Sequence, residues 1–494
     1  MMELKRREFL KALGTGVVTL SLPSLVSLSS GCRRSLRLEK PNIILILVDD
    51  MGWTDAACYG SRYYETPNID RLAARGMQFT DSYASCAVCS PTRASIMTGR
   101  YPVRTGITDW IRGRFQGGRV PLDGKNPSGY VGDKHKKLLC PQNARWLELD
   151  EMTVAEILKP AGYTSCHIGK WHLGFTEWYP DRQGFDVNIG GCDYGQPPSY
   201  FDPYFRTGHG PIPTLEPRKV GEYLTDREAS EAVRFIRGHK DQPFFLYMSH
   251  YAVHTPLEAK NELVRYYASK EATNQDNATY AAMIVSVDDA VGKILDVLDE
   301  LDIAQSTLIL FTSDNGGYLR ATHNAPLRSG KGYPYEGGIR VPLIVCWPGE
   351  VEAASECRVP VSSIDYFPTF CEAASVSLPA DRPIDGLSLL PLVTQRGTLD
   401  REDIFWHFPH YRGDSVPYSI IRSLEWKLIK RYEGKTYELF NLKEDLSEEK
   451  DLSEQLPEKV AELDEKLKKW LVDTGAKMPK PNPDYNPQLT KKKQ

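Results

Sequence analysis

Unbroken apolar segments along the chain mark strands that are buried on both faces. Residues 42–48 read NIILILV and residues 307–312 read TLILFT, and both segments are rich in β-branched side chains. Such segments are typical of strands in a parallel sheet, because helices cover both faces of that kind of sheet. Shorter apolar segments predict further strands at residues 164–168, 244–248 and 341–347.

Amphipathic helices are predicted between these strands. The spacing of apolar residues indicates helices at residues 152–161, 226–238 and 278–301. Thr225 and Glu228 have the spacing of a capping box at the start of the second of these helices. Strands that alternate with helices predict a doubly wound α/β fold, in which a large, mostly parallel sheet is sandwiched by helices.

The pattern changes at about residue 379, where the segments become shorter and alternate between apolar and polar residues. Strands are predicted at residues 419–422, 426–432 and 437–440, followed by an amphipathic helix at 457–471. We therefore expect a smaller C-terminal subdomain of antiparallel sheet plus helix. The end of the chain is rich in Pro, Asn and Lys, which predicts disorder. The predicted parts are an α/β domain at 33–378, the subdomain at 379–477 and a disordered tail at 478–494.

The first residues have the pattern of an export signal. Residues 5–11 read KRREFLK, a twin-arginine pattern, and a weakly apolar stretch follows that is too short and polar for a stable membrane span. Residues 29–32 resemble a lipoprotein processing site. We therefore predict a signal at residues 1–32 with acylation of Cys32, while simple cleavage or a retained segment remains an alternative. The protein would use the twin-arginine export machinery and be periplasmic or lipid-anchored at the bacterial cell envelope.

Composition excludes some classes of function. The 494-residue chain has a formal net charge of -4, so nucleic acid is not expected to be its principal partner. It has 10 cysteines, and those after Cys32 are scattered rather than arranged in the close pairs of a zinc site. Most of them are expected to be small buried apolar residues.

Acidic pairs follow two of the predicted strands. Asp49 and Asp50 come directly after the first strand, and Asp314 and Asn315 come shortly after the strand at 307–312. In a doubly wound sheet, ligands bind outside the carboxyl ends of the strands. Oxygen donors that converge there repel one another unless a cation lies between them. An all-oxygen set suits calcium or magnesium rather than zinc, and this interpretation is favoured over separate helix capping by each Asp.

The segment at residues 89–100 reads CSPTRASIMTGR and is predicted to begin a helix, with Pro91 near its first turn. The free N–H groups of a helix N-terminus and the guanidinium of Arg93 would both face an anion at Cys89. Taken alone, this arrangement is also typical of a cysteine with a low pKa.

This segment resembles the signature of the type I sulfatases, which is Cys, any residue, Pro, Ser or Thr, Arg, followed by Thr-Gly-Arg. The resemblance extends from Pro41 to about Ala374 and, more weakly, through the C-terminal part. It implies an alkaline phosphatase-like fold. Further matching blocks occur in the family's order at residues 41–53, 169–174, 254–256, 313–317 and 326–332.

The resemblance implies the nucleophile and the cofactor. In the family, the cysteine at the position of Cys89 is oxidised to formylglycine, whose hydrate is the nucleophile. A formylglycine-generating or anaerobic sulfatase-maturating enzyme is therefore an expected partner. One calcium ion is expected, and its ligands would be Asp49, Asp50, Cys89, Asp314 and Asn315.

Cationic side chains are needed because the sulfate group carries negative charge on its oxygens. Arg93, Lys170 and Lys331 match the family's blocks and are predicted to form an oxyanion pocket together with the metal. As the resemblance implies, Asp314 would act as the base for attack on sulfur.

Two histidines are predicted to move protons in this pocket. His254 is predicted to be the general acid for the leaving alcohol, with assistance from Lys331, and His172 to be the base that regenerates the aldehyde. His250 departs from the family spacing and is predicted to be structural.

The substrate is predicted from resemblance alone. Residues 190–197, 247–254 and 406–411 resemble blocks of bacterial carbohydrate sulfatases that act on sulfated galactose or N-acetylgalactosamine. We therefore expect a sulfated carbohydrate substrate, exo-acting cleavage and a preference for the 4-position. Tyr194 and His410 are predicted to hold the sugar ring.

Two other functions remain open. A phosphomonoester or phosphonate monoester hydrolase of the alkaline phosphatase superfamily would share the sheet and the metal loop. Members of that superfamily with two metal ions need further His and Asp ligands near the C-terminus. His407 and His410 occur there. A lipoprotein that binds sulfated glycan without turnover would keep Cys89 unmodified.

Overall fold

The computed structural model of the protein describes residues 40–216 and 219–490. In chain order, its strands are β1 (Asn42–Val48), β2 (Met77–Phe79), β3 (Ser82–Tyr83), β4 (Tyr130–Val131), β5 (Leu138–Pro141), β6 (Thr164–Gly169), β7 (Val187–Ile189), β8 (Phe244–Ser249), β9 (Thr307–Ser313), β10 (Leu343–Cys346), β11 (Ser355–Cys357), β12 (Val361–Ser362), β13 (Asp403–Phe408), β14 (Tyr418–Ser423), β15 (Trp426–Arg431), β16 (Tyr437–Asn441) and β17 (Lys480–Pro481).

The α-helices, again in chain order, are α1 (Pro67–Ala74), α2 (Cys89–Thr98), α3 (Pro102–Thr105), α4 (Val154–Leu158), α5 (Leu224–His239), α6 (Asn261–Ser269), α7 (Ala278–Glu300), α8 (Glu336–Ile339), α9 (Tyr366–Ala373), α10 (Leu390–Val393), α11 (Pro457–Asp473) and α12 (Pro487–Thr490). The predicted signal at residues 1–32, including Cys32, lies outside the described residues. Within them, no helix is both long and apolar enough to cross a membrane.

The central sheet has eight strands in the order β11-β2-β10-β9-β1-β8-β6-β7. Among these strands, β10 runs antiparallel to both of its neighbours, and every other pairing is parallel. The predicted large, mostly parallel sheet is therefore confirmed. All residues of the central strand β1 are buried.

Helices cover both faces of this sheet. Ile44 and Ile46 of β1 belong to a core that includes residues of α1, α5 and α7. Ile43 and Leu45 point to the opposite face, where the core includes residues of α2, α4 and α9. This double coverage explains why the strand has no alternation of apolar and polar residues.

The parallel strands of the sheet end at one edge. Val48 at the end of β1 pairs with Ser313 at the end of β9, and Gly169 at the end of β6 pairs with Ser249 at the end of β8. The residues that follow these four strands are therefore brought together, and they are Asp49, Asp314, Lys170 and His250.

The second sheet is antiparallel, in the order β13-β14-β15-β16, and confirms the predicted C-terminal sheet with its covering helix. On one face, Ile421 and Leu428 pack against Leu463 and Leu467 of α11. The apolar residues of the other face pack against the segment that precedes α2, which comprises residues 83–88. The indole of Trp406 donates a hydrogen bond of 2.7 Å to the main-chain oxygen of Ala84. The C-terminal sheet therefore supports the start of α2.

Buried charges join this sheet to the rest of the protein. Lys427 of β15 has no exposed side-chain surface, and its amine lies 2.9 Å from Glu336 Oε1 and 2.7 Å from Glu448 Oε1. Arg340 contacts the second oxygen of Glu336 over 2.7 Å. Each carboxylate here is compensated by a buried cation, as buried ion pairs require.

The start of α5 differs from the prediction. Thr225 lies inside the helix rather than before it, and the residue before the helix, Tyr223, makes no side-chain cap. Glu228 instead accepts a hydrogen bond of 2.7 Å from the buried His250, so its carboxylate serves a tertiary contact. A capping box does occur at α4, where Thr153 and Glu156 bond each other's main-chain N–H groups. The helix predicted at 152–161 is thus only five residues long and continues as a 3-10 turn.

The tail prediction was wrong for the residues that the structure describes up to 490. Strand β17 pairs with Leu138 and Leu139 of β5, and Pro487–Thr490 form α12. The Asn482 side chain donates to the main-chain oxygens of Asp133 and Lys136 over 3.0 and 2.9 Å. The prediction failed because composition does not show tertiary contacts. Here an edge strand and free carbonyl groups bind the polar segment.

We predict that Lys427→Met destabilises the protein, because it leaves Glu336 and Glu448 as adjacent buried carboxylates without a cation. Breaking a buried pair in this way costs about 3–5 kcal/mol. Thermal unfolding should show a clearly lower melting temperature than that of Lys443→Met, which removes an exposed lysine on the same subdomain. Equal melting temperatures for the two variants would show that the buried charges are not required.

Candidate active site

Arg93 joins the ends of four strands of the central sheet. Its side chain leaves α2 near the helix start and is fully buried. Nε donates to Asp314 Oδ2 over 2.9 Å. Nη1 donates to the main-chain oxygen of Lys170 and to Ser249 Oγ over 2.8 and 2.5 Å, while Nη2 lies 3.7 Å from Asp49 Oδ1. One guanidinium therefore fixes α2 against the carboxyl ends of β1, β6, β8 and β9.

Two lysines contact the acidic pair that follows β1. The amine of Lys170 lies 2.6 Å from Asp49 Oδ2, and both groups are fully buried. The amine of Lys331 lies 2.5 and 2.7 Å from the two carboxylate oxygens of Asp50. Burial works to lower the pKa of Lys331, but the Asp50 carboxylate raises it above its ordinary value. Lys331 is therefore a permanent positive charge at this edge.

The acidic residues have the donor chemistry of a metal site. Ligand atoms of Asp49, Asp50 and His254 lie within 4.8 Å of one another. Asp314 adjoins this group, because its Oδ1 accepts the main-chain N–H of Asp50 over 3.2 Å. Asp49 Oδ1 and Asn315 Oδ1 are buried, and neither has a hydrogen-bond partner among the described residues. Buried oxygens without hydrogen bonds in a cluster of carboxylates fit a hard divalent cation.

The charge balance favours a cation at the same place. Burial raises the pKa of Asp49 well above its ordinary value, and Asp314 and Asp50 raise it further, against the effect of Lys170. Burial also acts to raise the pKa of Asp50, but Lys331 holds it below the ordinary range. A divalent cation would stabilise the ionised form of Asp49.

His172 is oriented as a base. Its Nε2 lies 2.5 Å from the main-chain oxygen of Ile111, which can only accept, so Nε2 carries the hydrogen. The lone pair of Nδ1 therefore faces Cys89 Sγ at 3.4 Å. Burial, and next Lys170, lower the pKa of His172 well below its ordinary value, so the ring is neutral. Its φ of 61° is a strained conformation of the kind found at functional sites.

His254 has the opposite orientation. Its Nδ1 lies 2.9 Å from the main-chain oxygen of Thr255, so Nδ1 carries the hydrogen and Nε2 faces Asp50 Oδ2 at 3.5 Å. Burial, and next Lys331, lower the pKa of His254 to about 3, although Asp50 acts to raise it. A general acid at this position would therefore need a second proton on Nε2. The same nitrogen could also face a metal ion.

Cys89 is the first residue of α2 and is 4% exposed. The preceding residue, Val88, has an extended backbone and makes no side-chain cap, so the first N–H groups of the helix are not capped by it. Such free N–H groups stabilise negative charge. Cys89 therefore lies between a helix N-terminus, the neutral ring of His172 and the cationic group around Lys331.

The two residues predicted to hold the sugar ring are engaged with protein atoms. The Tyr194 hydroxyl donates to the main-chain oxygen of His209, and its ring packs on Phe115 with centroids 5.1 Å apart. His410 is buried and bonds Thr108 Oγ1 over 2.8 Å through Nε2. Both lie on segments beside the site, and their roles in substrate binding stay predictions.

The structure thus brings together every residue predicted for chemistry or metal binding: Asp49, Asp50, Cys89, Arg93, Lys170, His172, His254, Asp314, Asn315 and Lys331. Three supporting residues were not predicted from the sequence. Ser249 orients Arg93, and Ser90 Oγ donates to the main-chain oxygen of His172 over 3.0 Å. A Cβ added to Gly195 would lie 2.7 Å from the His172 ring. The available signals were the position of Ser90 directly after Cys89 and the positions of Gly195 and Ser249 inside the blocks 190–197 and 247–254.

Two protein-family models match the chain. The sulfatase family model matches residues 41–376, and the model of the C-terminal part of N-sulphoglucosamine sulphohydrolase matches residues 330–477. The chain belongs to the sulfatase family. This sulfatase is therefore a sulfuric ester hydrolase. Its two family matches overlap around α8, which is consistent with the buried contacts between α8 and the C-terminal sheet.

Named relatives cover most of the chain. A sulfatase of Formosa agariphila is 32% identical over 89% of this chain and 90% of its own length. Human N-acetylgalactosamine-6-sulfatase is 36% identical over 76% of this chain and 69% of its own length. The crystal structure of Ps i-CgsB in complex with k-i-k-neocarrahexaose superimposes with a TM-score of 0.73, at 30% identity, and covers 87% of this sulfatase and 93% of that chain.

The fold is also shared with an enzyme of different activity. A phosphonate monoester hydrolase of Agrobacterium radiobacter superimposes with a TM-score of 0.65 at 19% identity, covering 88% of this chain and 96% of that one. At this identity the similarity concerns the fold alone. The fold by itself therefore does not determine which ester is hydrolysed.

We predict that Gly195→Ala lowers the turnover of sulfate esters at least tenfold, because the new methyl group displaces the His172 ring from Ile111 and Cys89. Turnover of 4-nitrophenyl sulfate and the melting temperature should be measured together. Gly238→Ala is the matched control, since a Cβ there meets nothing within 4 Å. Wild-type turnover in Gly195→Ala would show that the alignment of His172 is unimportant.

Proposed function

We propose that this sulfatase removes sulfate from a sulfated carbohydrate, with formylglycine derived from Cys89 as the nucleophile and one bound calcium ion. The observation that carries the proposal is the position of Cys89 at the start of α2, 3.4 Å from the Nδ1 lone pair of His172. The cationic side chains of Arg93, Lys170 and Lys331 share this strand edge. A residue at position 89 thus has a base on one side and positive charge on the other.

Calcium would be held by Asp49, Asp50, Asp314 and Asn315, and the residue at position 89 would also contact it. The buried Oδ1 atoms of Asp49 and Asn315, which have no hydrogen-bond partner among the described residues, support this set. When bound, the ion would supply positive charge that polarises the sulfate group.

The chain's own residues have separate tasks. Lys170 and Lys331 would share their hydrogen-bond donors between the carboxylates and the sulfate oxygens, since each amine has three donors. His172 accepts a proton at Nδ1 from the residue at position 89, because Nε2 remains bonded to the Ile111 oxygen. His254 would deliver a proton from Nε2 to the leaving oxygen, with Nδ1 held by Thr255. Asp314 would act as a base through the oxygen that does not contact Arg93.

The carbohydrate substrate is supported by the relatives. One is named for N-acetylgalactosamine, and one neighbouring structure contains a neocarrahexaose. We propose an exo-acting enzyme for sulfated galactose or N-acetylgalactosamine, with the 4-position favoured as in the sequence analysis. The 6-position is the alternative that the name of the human relative supports. Tyr194 and His410 would shape the sugar site from neighbouring segments.

The proposal also includes how the formylglycine is made and where the enzyme is located. A formylglycine-generating or anaerobic sulfatase-maturating enzyme would oxidise Cys89. The twin-arginine pattern in the first residues supports export, after which the enzyme would be periplasmic or lipid-anchored through Cys32.

The nucleophile is tested with Cys89→Ala. We expect a loss of sulfate release of at least a thousandfold with an unchanged melting temperature, because alanine fits the same helix position. Mass spectrometry of the wild-type peptide that contains residue 89 should show the aldehyde and its reaction with a hydrazide. An unmodified thiol in a fully active preparation would contradict the assignment, and an unmodified thiol without activity would favour a glycan-binding protein.

Calcium is tested by chelation. Removing the ion should lower activity at least tenfold and also lower the melting temperature, because binding at 100 times the dissociation constant stabilises a protein by about 2.7 kcal/mol. Added calcium should restore both. The melting temperature of Asp49→Asn should respond less to chelation than that of the wild type. Stoichiometric zinc that calcium cannot replace would contradict the ligand set.

The substrate is tested with a panel of monosulfated sugars, with released sulfate measured by anion chromatography. We expect the highest kcat/KM for N-acetylgalactosamine or galactose 4-sulfate, with the 6-sulfates as the closest competitors. The panel should include phosphate and phosphonate monoesters. Activity restricted to those esters, or to glucosamine sulfates, would reject the proposed substrate.

A further inference from the structure

Two oppositely charged side chains flank the sulfate pocket and take no part in it. Asp109 lies on the segment after α3, and Arg412 lies on the loop after β13. Neither residue is part of a motif that was recognised in the sequence. Both side chains are partly exposed.

The segment that carries Asp109 is attached directly to the catalytic residues. Two positions further on, the N–H of Ile111 donates to Ser90 Oγ over 3.0 Å. The main-chain oxygen of Ile111 accepts from His172 Nε2 over 2.5 Å. Asp109 is thus placed on the side of the pocket that is formed by His172.

Arg412 lies on the other side, against the residue that follows Lys331. A Cβ built on Gly332 would be 2.5 Å from Arg412 Nε and 2.6 Å from its Cδ, so the arginine side chain crosses directly over this glycine. The N–H of Gly332 donates to the main-chain oxygen of Ala87, two residues before Cys89. The arginine loop is closed by reciprocal main-chain hydrogen bonds between Arg412 and Ser415.

A direct contact joins the two segments. Thr108 Oγ1 bonds His410 Nε2 over 2.8 Å, so the residue before Asp109 is tied to the second residue before Arg412. This hydrogen bond keeps the segments that carry Asp109 and Arg412 next to each other.

The two charges act on each other without touching. The field of Arg412 lowers the pKa of Asp109, although burial has the larger effect and raises it to about 6. No ion pair between them is present among the described residues. The Asp109 carboxylate accepts the N–H of Trp110 over 2.8 Å. The guanidinium of Arg412 has no hydrogen bond from its side chain within the described part of the chain, so its donors are available.

We propose that Asp109 and Arg412 form a sugar-recognition pair, in which one ring hydroxyl of the sulfated sugar donates to Asp109 and accepts from Arg412. A hydroxyl group can do both through a single oxygen atom, because it is at once a donor and an acceptor. Both hydrogen bonds are charge-assisted and therefore strong. This inference rests on the proposed function and identifies the residues that select a sugar over a simple aryl ester.

The test compares two substrates on three variants. The probes are the sugar monosulfate that the wild type hydrolyses fastest in the panel and 4-nitrophenyl sulfate, which has no ring hydroxyl. The variants are Asp109→Asn, Arg412→Gln and the control Arg358→Gln, an exposed arginine paired with Glu356. We expect the ratio of kcat/KM for the sugar ester to kcat/KM for the aryl ester to fall at least tenfold in the first two variants and to stay unchanged in the control.

Deoxy analogues of the sugar monosulfate identify the hydroxyl group. The wild type should lose at least tenfold in kcat/KM on one analogue, because charged partners are left unpaired when the hydroxyl is absent. This loss should shrink to less than threefold in Arg412→Gln, because the charged hydrogen-bond partner of that hydroxyl has already been removed. The arm with the wild type needs no variant, so a folding defect cannot hide the result.

Other outcomes would overturn the proposal. An unchanged selectivity ratio in both variants, or a deoxy loss of equal size in wild type and Arg412→Gln, excludes the pair. A loss in Arg412→Gln that occurs only with disulfated sugars would instead assign Arg412 to a second anionic group. If the wild type hydrolyses only the aryl ester, the proposed function itself fails and this pair fails with it, which the wild-type panel shows before any variant is made.

Discussion

Arg93 is a fully buried guanidinium at the edge where the parallel strands of the central sheet end. A buried cation is stable only if acceptors surround it, and here these come from the residues after β1, β6 and β9 and from the end of β8. The strands must therefore keep their register, because the guanidinium of Arg93 reaches all of these acceptors only when the strand ends are aligned. In return, α2 and its first residue, Cys89, acquire a fixed position. The rest of the site is built around this arrangement.

Opposite charges around Arg93 place the remaining groups. Lys170 contacts Asp49 and Lys331 contacts Asp50, so each basic side chain of the pocket is paired with a carboxylate of the metal site. A metal ion and a sulfate ester bound together would share these partners without a large change in net charge. This interdependence explains why the acidic and basic residues occur as one group at the strand ends.

Much of the fold and of the chemical site could be predicted from the sequence. The unbroken apolar segment of β1 is diagnostic because both faces of the sheet are covered, and the residues after such strands meet at one edge. Cys89 and Arg93 were recognisable because they occur in a dense motif. These signals are local in the chain, so they can be recognised without knowledge of the tertiary structure.

Other features depend on contacts between distant segments. Glu228 has the spacing of a helix cap, but the buried His250 takes its carboxylate. The tail around Asn482 resembles a disordered segment in composition, yet it binds an edge strand more than 300 positions earlier. Asp109 and Arg412 belong to no common motif, and they are brought beside the pocket by separate contacts at Ile111 and Gly332. Residues that would bind the sugar depend on such distant contacts, because loops from separate parts of the chain form the rim of a strand-end site.

The packing of the C-terminal sheet on residues 83–88 has a consequence for the time course of synthesis. The residues that pack on this segment, which directly precedes Cys89, include Phe440, roughly 350 positions after Cys89. At about 5–20 residues per second, a ribosome needs about 20–70 s to make the intervening chain. During that interval the segment around Cys89 lacks part of its final cover. The maturation enzyme that we propose for this cysteine would thus have a window of tens of seconds on the nascent chain, which would close when the last strands are made.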